Sequence, residues 1–167
     1  MMRRLIVMLA ALAFSAPALA QPVANGTPLW RMHTENLAGD RAMIRTCLAG
    51  DEAGEGYGCA LVVQAACLSS HDPDDIVPAL QRQCDWRAIA AWEDEMNDAL
   101  AHLRGRLDGV DASQSAWQTS MLADVGVGMD ALEGGSLAGP VGARIRARAT
   151  AERALYLRDL VRTFVEE

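Results

Sequence analysis

The sequence predicts an all-α fold, a compact bundle of about five helices braced by two disulfides, and three observations carry that prediction. Apolar residues recur at steps of three and four along most of the chain. No hairpin signal and no sustained two-residue alternation occurs. Four cysteines, Cys47, Cys59, Cys67 and Cys84, follow an N-terminus that reads as an export signal.

The signal comes first. Arg3 and Arg4 precede the apolar run Leu5 to Phe14, Ser15-Ala16-Pro17 breaks it, and Ala18-Leu19-Ala20 closes it before Gln21. A basic start, a short apolar stretch and an A-x-A site are the parts of a cleavable secretory signal. The run is shorter than the ~18 apolar residues a membrane span needs. Residues 1–20 are therefore expected to leave by cleavage between Ala20 and Gln21, giving a periplasmic or secreted product. No cysteine lies near the cut, so no lipid or other membrane anchor is expected.

Removing Arg3 and Arg4 leaves 13 basic residues, all arginine, against 22 acids, a formal charge of −9. Such a domain repels nucleic acid and anionic lipid and favours cationic partners.

Residues 21–35 lack periodicity and carry turn formers, which predicts a flexible leader, with Trp30 packed onto the helical domain of residues 36–167. A first helix is expected from about Asp40 to Ala49, presenting Met43, Ile44, Cys47 and Leu48, followed by a loop over Gly50 to Gly56. Tyr57 to Leu68 is apolar on nearly every face; its length and alanines favour a helix. Asp75 is the expected cap of the next helix, with Pro78 in its first turn. That helix carries Trp86, Ile89, Met96, Leu100, Leu103 and Leu107 on one stripe with Trp92 beside it, and Gly109 stops it. Asp111 and Gln114 have the form of a capping box. Trp117, Met121, Val125, Met129 and Leu132 mark the fourth helix; Gly126 and Gly128 inside it suggest a close approach to a neighbour. Gly134-Gly135 ends it, and Gly139-Pro140 opens a last helix whose apolar stripe reads Val141, Ile145, Ala149, Tyr156, Leu160 and Phe164.

In an oxidising compartment four cysteines imply two disulfides with three possible connectivities. If residues 57–68 are one helix, Cys59 and Cys67 stand about 12 Å apart along its axis, beyond the ~7 Å Cα separation a disulfide allows. Antiparallel helix hairpins favour Cys47–Cys59 with Cys67–Cys84. Cys47–Cys67 with Cys59–Cys84 requires helices slid by about two turns.

Candidate chemistry is thin. His33, His71 and His102 lie in separate segments, no serine occupies a nucleophile elbow, and no glycine-rich phosphate loop follows a strand. The stretch His71 to Asp75 lacks the ligand spacing of a calcium loop and reads as a capped turn. Glu93, Asp94, Glu95 and Asp98 read as a solvated face. No catalytic residue, metal site or cofactor is expected, and the chain does not read as an enzyme. One further constellation is Glu133-Gly134-Gly135-Ser136 with Arg153: the guanidinium is expected to fold back on Glu133 or on the loop carbonyls, bracing the last helix junction or serving a partner.

Cys47, the Cys59-x7-Cys67 pair, Cys84 eight residues before Trp92, Asn97, Gln114-x-x-Trp117, Glu133-Gly134-Gly135-Ser136 and Thr150-x-x-Arg153-x-x-x-Leu157 together resemble the bacterial lysozyme inhibitor LprI-like family. The resemblance spans about residues 43–160. It implies a small exported helical domain and marks Trp92, Asn97, Gln114, Trp117, Glu133, Gly134, Gly135, Thr150 and Arg153 as family-motif residues. The chain departs from the pattern at Ala88, Leu100 and Met121-Leu122. A second cysteine pair of the family falls here on Val125 and Ile145, which predicts an apolar contact in place of a disulfide. The resemblance implies a lysozyme inhibitor, and the charge suits lysozyme or another cationic protein as partner. The alternative, from a different class, is a protein-interaction or structural module of the cell envelope that does not inhibit lysozyme.

Overall fold

The computed structural model describes residues 34–50 and 56–164, which form five α-helices and no strand. They are α1 (Leu37–Gly50), α2 (Val62–Ser69), α3 (Pro78–Leu103), α4 (Val110–Asp130) and α5 (Ala138–Phe164). The signal segment, Trp30, His33 and loop residues 51–55 lie outside the described residues.

The two long helices α3 and α5 form the centre and run side by side in the same direction. Arg144 pairs with Asp85 near their starts, while Val161 and His102 line one cavity near their ends. A parallel pair needs a return element. α4 supplies it, antiparallel to α5, with Ile145 packed against Gly128 at one end and Arg153 bonded to Gln114 at the other. α2 runs antiparallel to α3: Cys67 bonds Cys84 near the start of α3, and Trp92 Nε1 donates to the Ala60 carbonyl at 3.1 Å further along. α1 packs on the α2–α3 side.

Both disulfides join sequence neighbours: Cys47–Cys59 with Cα atoms 5.8 Å apart and Cys67–Cys84 at 5.5 Å. The pairing expected from hairpin geometry is present, although one premise behind it is corrected. Tyr57 to Leu68 is not a single helix. Tyr57–Cys59 is a 3-10 turn, and α2 begins only at Val62. The helical geometry is interrupted at Leu61 (φ −105°, ψ 5°), and Gly56 sets the entry to the 3-10 turn. Its φ of +70° puts it in the left-handed region, and a Cβ there would lie 2.5 Å from Leu155 Cδ2 and 2.7 Å from Leu48 Cδ2. The chain passes between two core leucines where no side chain fits.

Helix boundaries differ from expectation for local reasons. The carboxylate of Asp72, not Asp75, accepts from the Asp74 backbone and caps a 3-10 turn over Pro73–Asp75; α3 then starts at Pro78 with no side-chain cap. α3 ends at Leu103, so Leu107 belongs to the following turn. Asp111 and Gln114 form no capping box. Gly109 precedes α4 in the left-handed conformation, Asp111 pairs with Arg104 at 2.9 Å, and Gln114 points into the interior.

The core is built on Trp92, fully buried, with Ile44, Val63, Leu100, Leu103, Leu155 and Leu157. The expected stripe on α3 is shifted: Ala88, Ala91, Trp92 and Ala99 are buried with Ile89, Met96, Leu100 and Leu103, while Trp86 is half-buried under Arg146 at 5.1 Å. The α5 stripe is corrected more strongly. Tyr156 and Phe164 are exposed and Val141, Ile145 and Ala149 only half-buried; the core face is Ala143, Ala147, Ala151, Ala154 and Leu155 with Thr150, Leu157 and Val161. Small side chains let the α5 backbone lie close to the alanines of α3, so the two helices pack tightly along this face.

The acidic cluster on α3 is not a free solvated face. Arg41 pairs with Asp94, Glu95 and Asp98, Arg45 with Glu95 and Asp98, and Arg146 with Glu93. Burial works against the Arg41 charge, yet the hydrogen bond and charge of Glu95, with Asp94 and Asp98, hold its pKa above the ordinary arginine value. The cluster fastens α1 and α5 to α3.

Candidate functional site

The motif residues divide into two groups. Trp92 and Thr150 are interior residues: Trp92 anchors the core, and the Thr150 hydroxyl is buried without a hydrogen-bond partner among the described residues. Asn97 is exposed on α3, and Glu133, Gly134 and Gly135 are exposed in the turn joining α4 to α5. In that turn Glu133 takes φ +49° and Gly134 φ +71°, and Gly135 N–H donates to the Leu132 carbonyl at 2.8 Å. Two successive left-handed residues reverse the chain so that α5 can return against α4. Arg153 does not reach this turn. It lies fifteen residues into α5, about 22 Å along the axis at 1.5 Å per residue.

Arg153 instead joins Gln114 and Trp117 at the other end of the α4–α5 pair. Its Nε donates to Gln114 Oε1 and its Nη2 to Ser113 Oγ, both at 3.0 Å. The guanidinium lies 5.3 Å from the Tyr156 ring centroid and 6.0 Å from that of Trp117. Gln114 is buried and its amide also approaches Met96 Sδ at 3.4 Å, which ties the arrangement to the core. The helix period explains the convergence. Ser113, Gln114 and Trp117 fall on one side of α4, and Arg153 and Tyr156, three apart, share a side of α5. Burial lowers the Arg153 pKa from the usual arginine value, with the nearby Tyr156 opposing the change.

Around this cluster runs a groove of about 380 Å³, with Trp117, Met121, Asp124, Glu152, Arg153 and Tyr156 among its walls. Tyr156, Met121 and Asp124 were not singled out as site residues from sequence. The apolar stripe in the sequence points Tyr156 to the core, whereas it is exposed beside the arginine; its position three residues beyond Arg153 is the sequence signal that the two share a face.

A second cavity of about 230 Å³ lies over Trp92 and Ala99, between Leu48 of α1 and Ala154 of α5. Buried Asp85 lies near the α2–α3 disulfide, accepting from Gln64 and from Arg144 Nε at 2.9 Å; burial raises its pKa against the opposing pull of Arg144 and Gln64. Among the described residues no group of three or more His, Cys, Asp or Glu side chains is placed to hold a metal ion. None of the described helices is long and apolar enough to cross a membrane.

Charge is unevenly distributed. Between Leu107 and Ala143 the chain carries Asp108, Asp111, Asp124, Asp130 and Glu133 and no basic residue. Of these, only Asp111 makes an ion pair among the described residues. The acids of α3 are neutralised by arginines, while the α4 side presents its carboxylates to solvent beside exposed Val127 and Leu137.

In comparison with known proteins, residues 77–157 match the family described as lysozyme inhibitor LprI. The match runs from the residue before α3 to the last third of α5 and takes in the Arg153 cluster, while α1 and α2 lie outside it. No curated protein and no solved structure matches the chain.

Proposed function

We propose that this chain, a member of the LprI-like family over residues 77–157, is an exported binding protein that docks its acidic α4 surface on a cationic protein and inhibits lysozyme. The family description names an inhibitor rather than an enzyme class, and two disulfides suit an oxidising, extracytoplasmic destination. The observation that carries the reading is the set of unpaired carboxylates on the α4 side. Asp108, Asp124, Asp130 and Glu133 are exposed and make no ion pair among the described residues, and an acidic surface of this kind speeds encounter with a basic protein. Val127, at 71% exposure, supplies apolar area in the same patch.

The test is lysozyme-driven lysis of bacterial cells, followed by turbidity, with the disulfide-intact protein in slight excess. Lysis should slow at low salt, and inhibition should weaken as salt rises because exposed charges are screened beyond about 10 Å at ~0.1 M. Reversing Asp130 and Glu133 to arginine should slow association by roughly tenfold or more. Unchanged lysis at low salt would sink the inhibitor reading and leave a cell-envelope interaction module as the reading to pursue.

A further inference from the structure

Among the described residues five arginines are half-buried, and three of them are paired with carboxylates. Arg41, Arg87 and Arg146 bind Asp94, Asp40 and Glu93 respectively, along with other acids in the case of Arg41. The other two, Arg158 at the cavity over Trp92 and Arg153 at the α4–α5 groove, make no ion pair among the described residues, and of the two Arg153 is held by neutral hydrogen-bond acceptors. The acid beside it in sequence, Glu152, pairs with Arg148 at 2.8 Å, and both acceptors of Arg153 are neutral: the Gln114 amide and the Ser113 hydroxyl. Those two bonds fix the Nε and Nη2 side of the guanidinium and leave Nη1 without a hydrogen-bond acceptor among the described residues. Trp117 and Tyr156 hold the plane in place. A cation that is partly desolvated, oriented and without a direct ion pair among the described residues is poised to accept an anion, since the desolvation cost has already been met in the free protein.

We propose that the α4–α5 groove is a receptor for a carboxylate carried by a basic partner protein, with the Arg153 guanidinium as the group that receives it. The partner class rests on the reading above; the receptor itself rests on the groove. Two features select a carboxylate in a basic surround over a free anion. A planar guanidinium edge matches the two oxygens of a carboxylate. The walls also carry Asp124 and Glu152, which repel a bare polyanion and attract cationic groups flanking the bound carboxylate. Trp117, Met121 and Tyr156 give the groove apolar walls for the carbon stem of the incoming side chain.

The direct test is a nuclear magnetic resonance titration of the disulfide-intact protein with 3-phenylpropionate, its neutral amide and inorganic sulfate. The carboxylate should shift the Trp117 indole and Arg153 Nε–H signals saturably, with the amide and sulfate at least about tenfold weaker. Arg153→Gln should weaken carboxylate binding by about tenfold or more with helix content retained. Ser120→Trp, which fills the groove and leaves Arg153 in place, should do the same and serves if the arginine variant does not fold. Equal binding of the amide or of sulfate, or undiminished binding with the groove filled, overturns the assignment. In the lysis assay, inhibition unaffected by both variants overturns the groove's part in docking while the inhibitor reading stands. Saturable, Arg153-dependent carboxylate binding without any inhibition supports the receptor and removes lysozyme as its partner.

Discussion

Replacing Cys67 and Cys84 together by alanine opens the bridge between α2 and the start of α3 and leaves no stray thiol. The sequence separation is 17, and in the loop-closure description a crosslink of that span removes about 10 cal/mol/K of entropy from the unfolded chain, or about 3 kcal/mol. The Cys47–Cys59 bridge spans 12 residues; because closure entropy grows only with the logarithm of loop length, its loss should be smaller by about 0.3 kcal/mol. Packing acts in the same direction. Cys67 and Cys84 are both buried, whereas Cys47 is half-buried, so truncation at Cys67 and Cys84 also strips more interior contacts. The assay is urea unfolding followed by far-ultraviolet circular dichroism on the oxidised protein and on each double-alanine variant. With a denaturant slope of about 1–3 kcal/mol/M, a loss of about 3 kcal/mol lowers the midpoint by about 1–3 M. A loss below about 1 kcal/mol for either pair would show that its helix junction stays closed in the unfolded ensemble without the bridge. A larger loss for Cys47/Cys59 would refute the combined entropy and packing argument.

Two further perturbations probe single positions. The Asp85 pKa is raised in the folded protein, so its contribution to stability is fully present below the unfolded carboxylate value near about 4 and is lost as pH rises through the folded value. The stability of Asp85→Asn relative to the parent should therefore rise as pH rises through the folded value and fall back on acidification; thermal melts across that range in which the variant's relative stability grows towards low pH would reverse the sign. On α4, a side chain at Gly126 meets nothing within 4 Å, so Gly126→Ala should gain up to about 1 kcal/mol of helix propensity. A side chain at Gly128 collides with Ile145 Cδ1, so Gly128→Val should cost about 1–3 kcal/mol. Equal effects in chemical denaturation would contradict the close packing of α4 on α5.

Much of the fold was legible residue by residue. Apolar steps of three and four located the long helices, because a helix that buries one face must repeat near its own period. Cys47–Cys59 with Cys67–Cys84 was favoured over Cys47–Cys67 with Cys59–Cys84 because bonded cysteines must lie close, which antiparallel neighbours satisfy at their junctions. Helix ends were less legible. Asp75 and Asp111 looked like caps, but the cap depends on which backbone conformation precedes the helix, and Asp72 and Gly109 occupy the preceding turns. The family motif named Gln114, Trp117 and Arg153 without indicating that they meet. Arg153 was expected near Glu133, which is closer in sequence but about four turns away along α5. The Val125 and Ile145 positions do share the α4–α5 interface, where Val125 adjoins Gly142 and Ile145 adjoins Gly128.

The sequence by itself determined the helical class, the number of long elements and the acidity of the chain, and it favoured the observed cysteine pairing, since each rests on local period, spacing or composition. Only the tertiary structure decided which of two possible stripes on α5 is buried, because the choice between alanines and larger side chains depends on how near α3 lies. Only it separated the neutralised acids of α3 from the open acids of α4, because the deciding arginines stand about fifty residues away, as Arg41 does from Glu95. Arg153 was left among neutral partners at a groove for the same reason: ion pairing is settled by distance in space, which the order of residues along the chain does not specify.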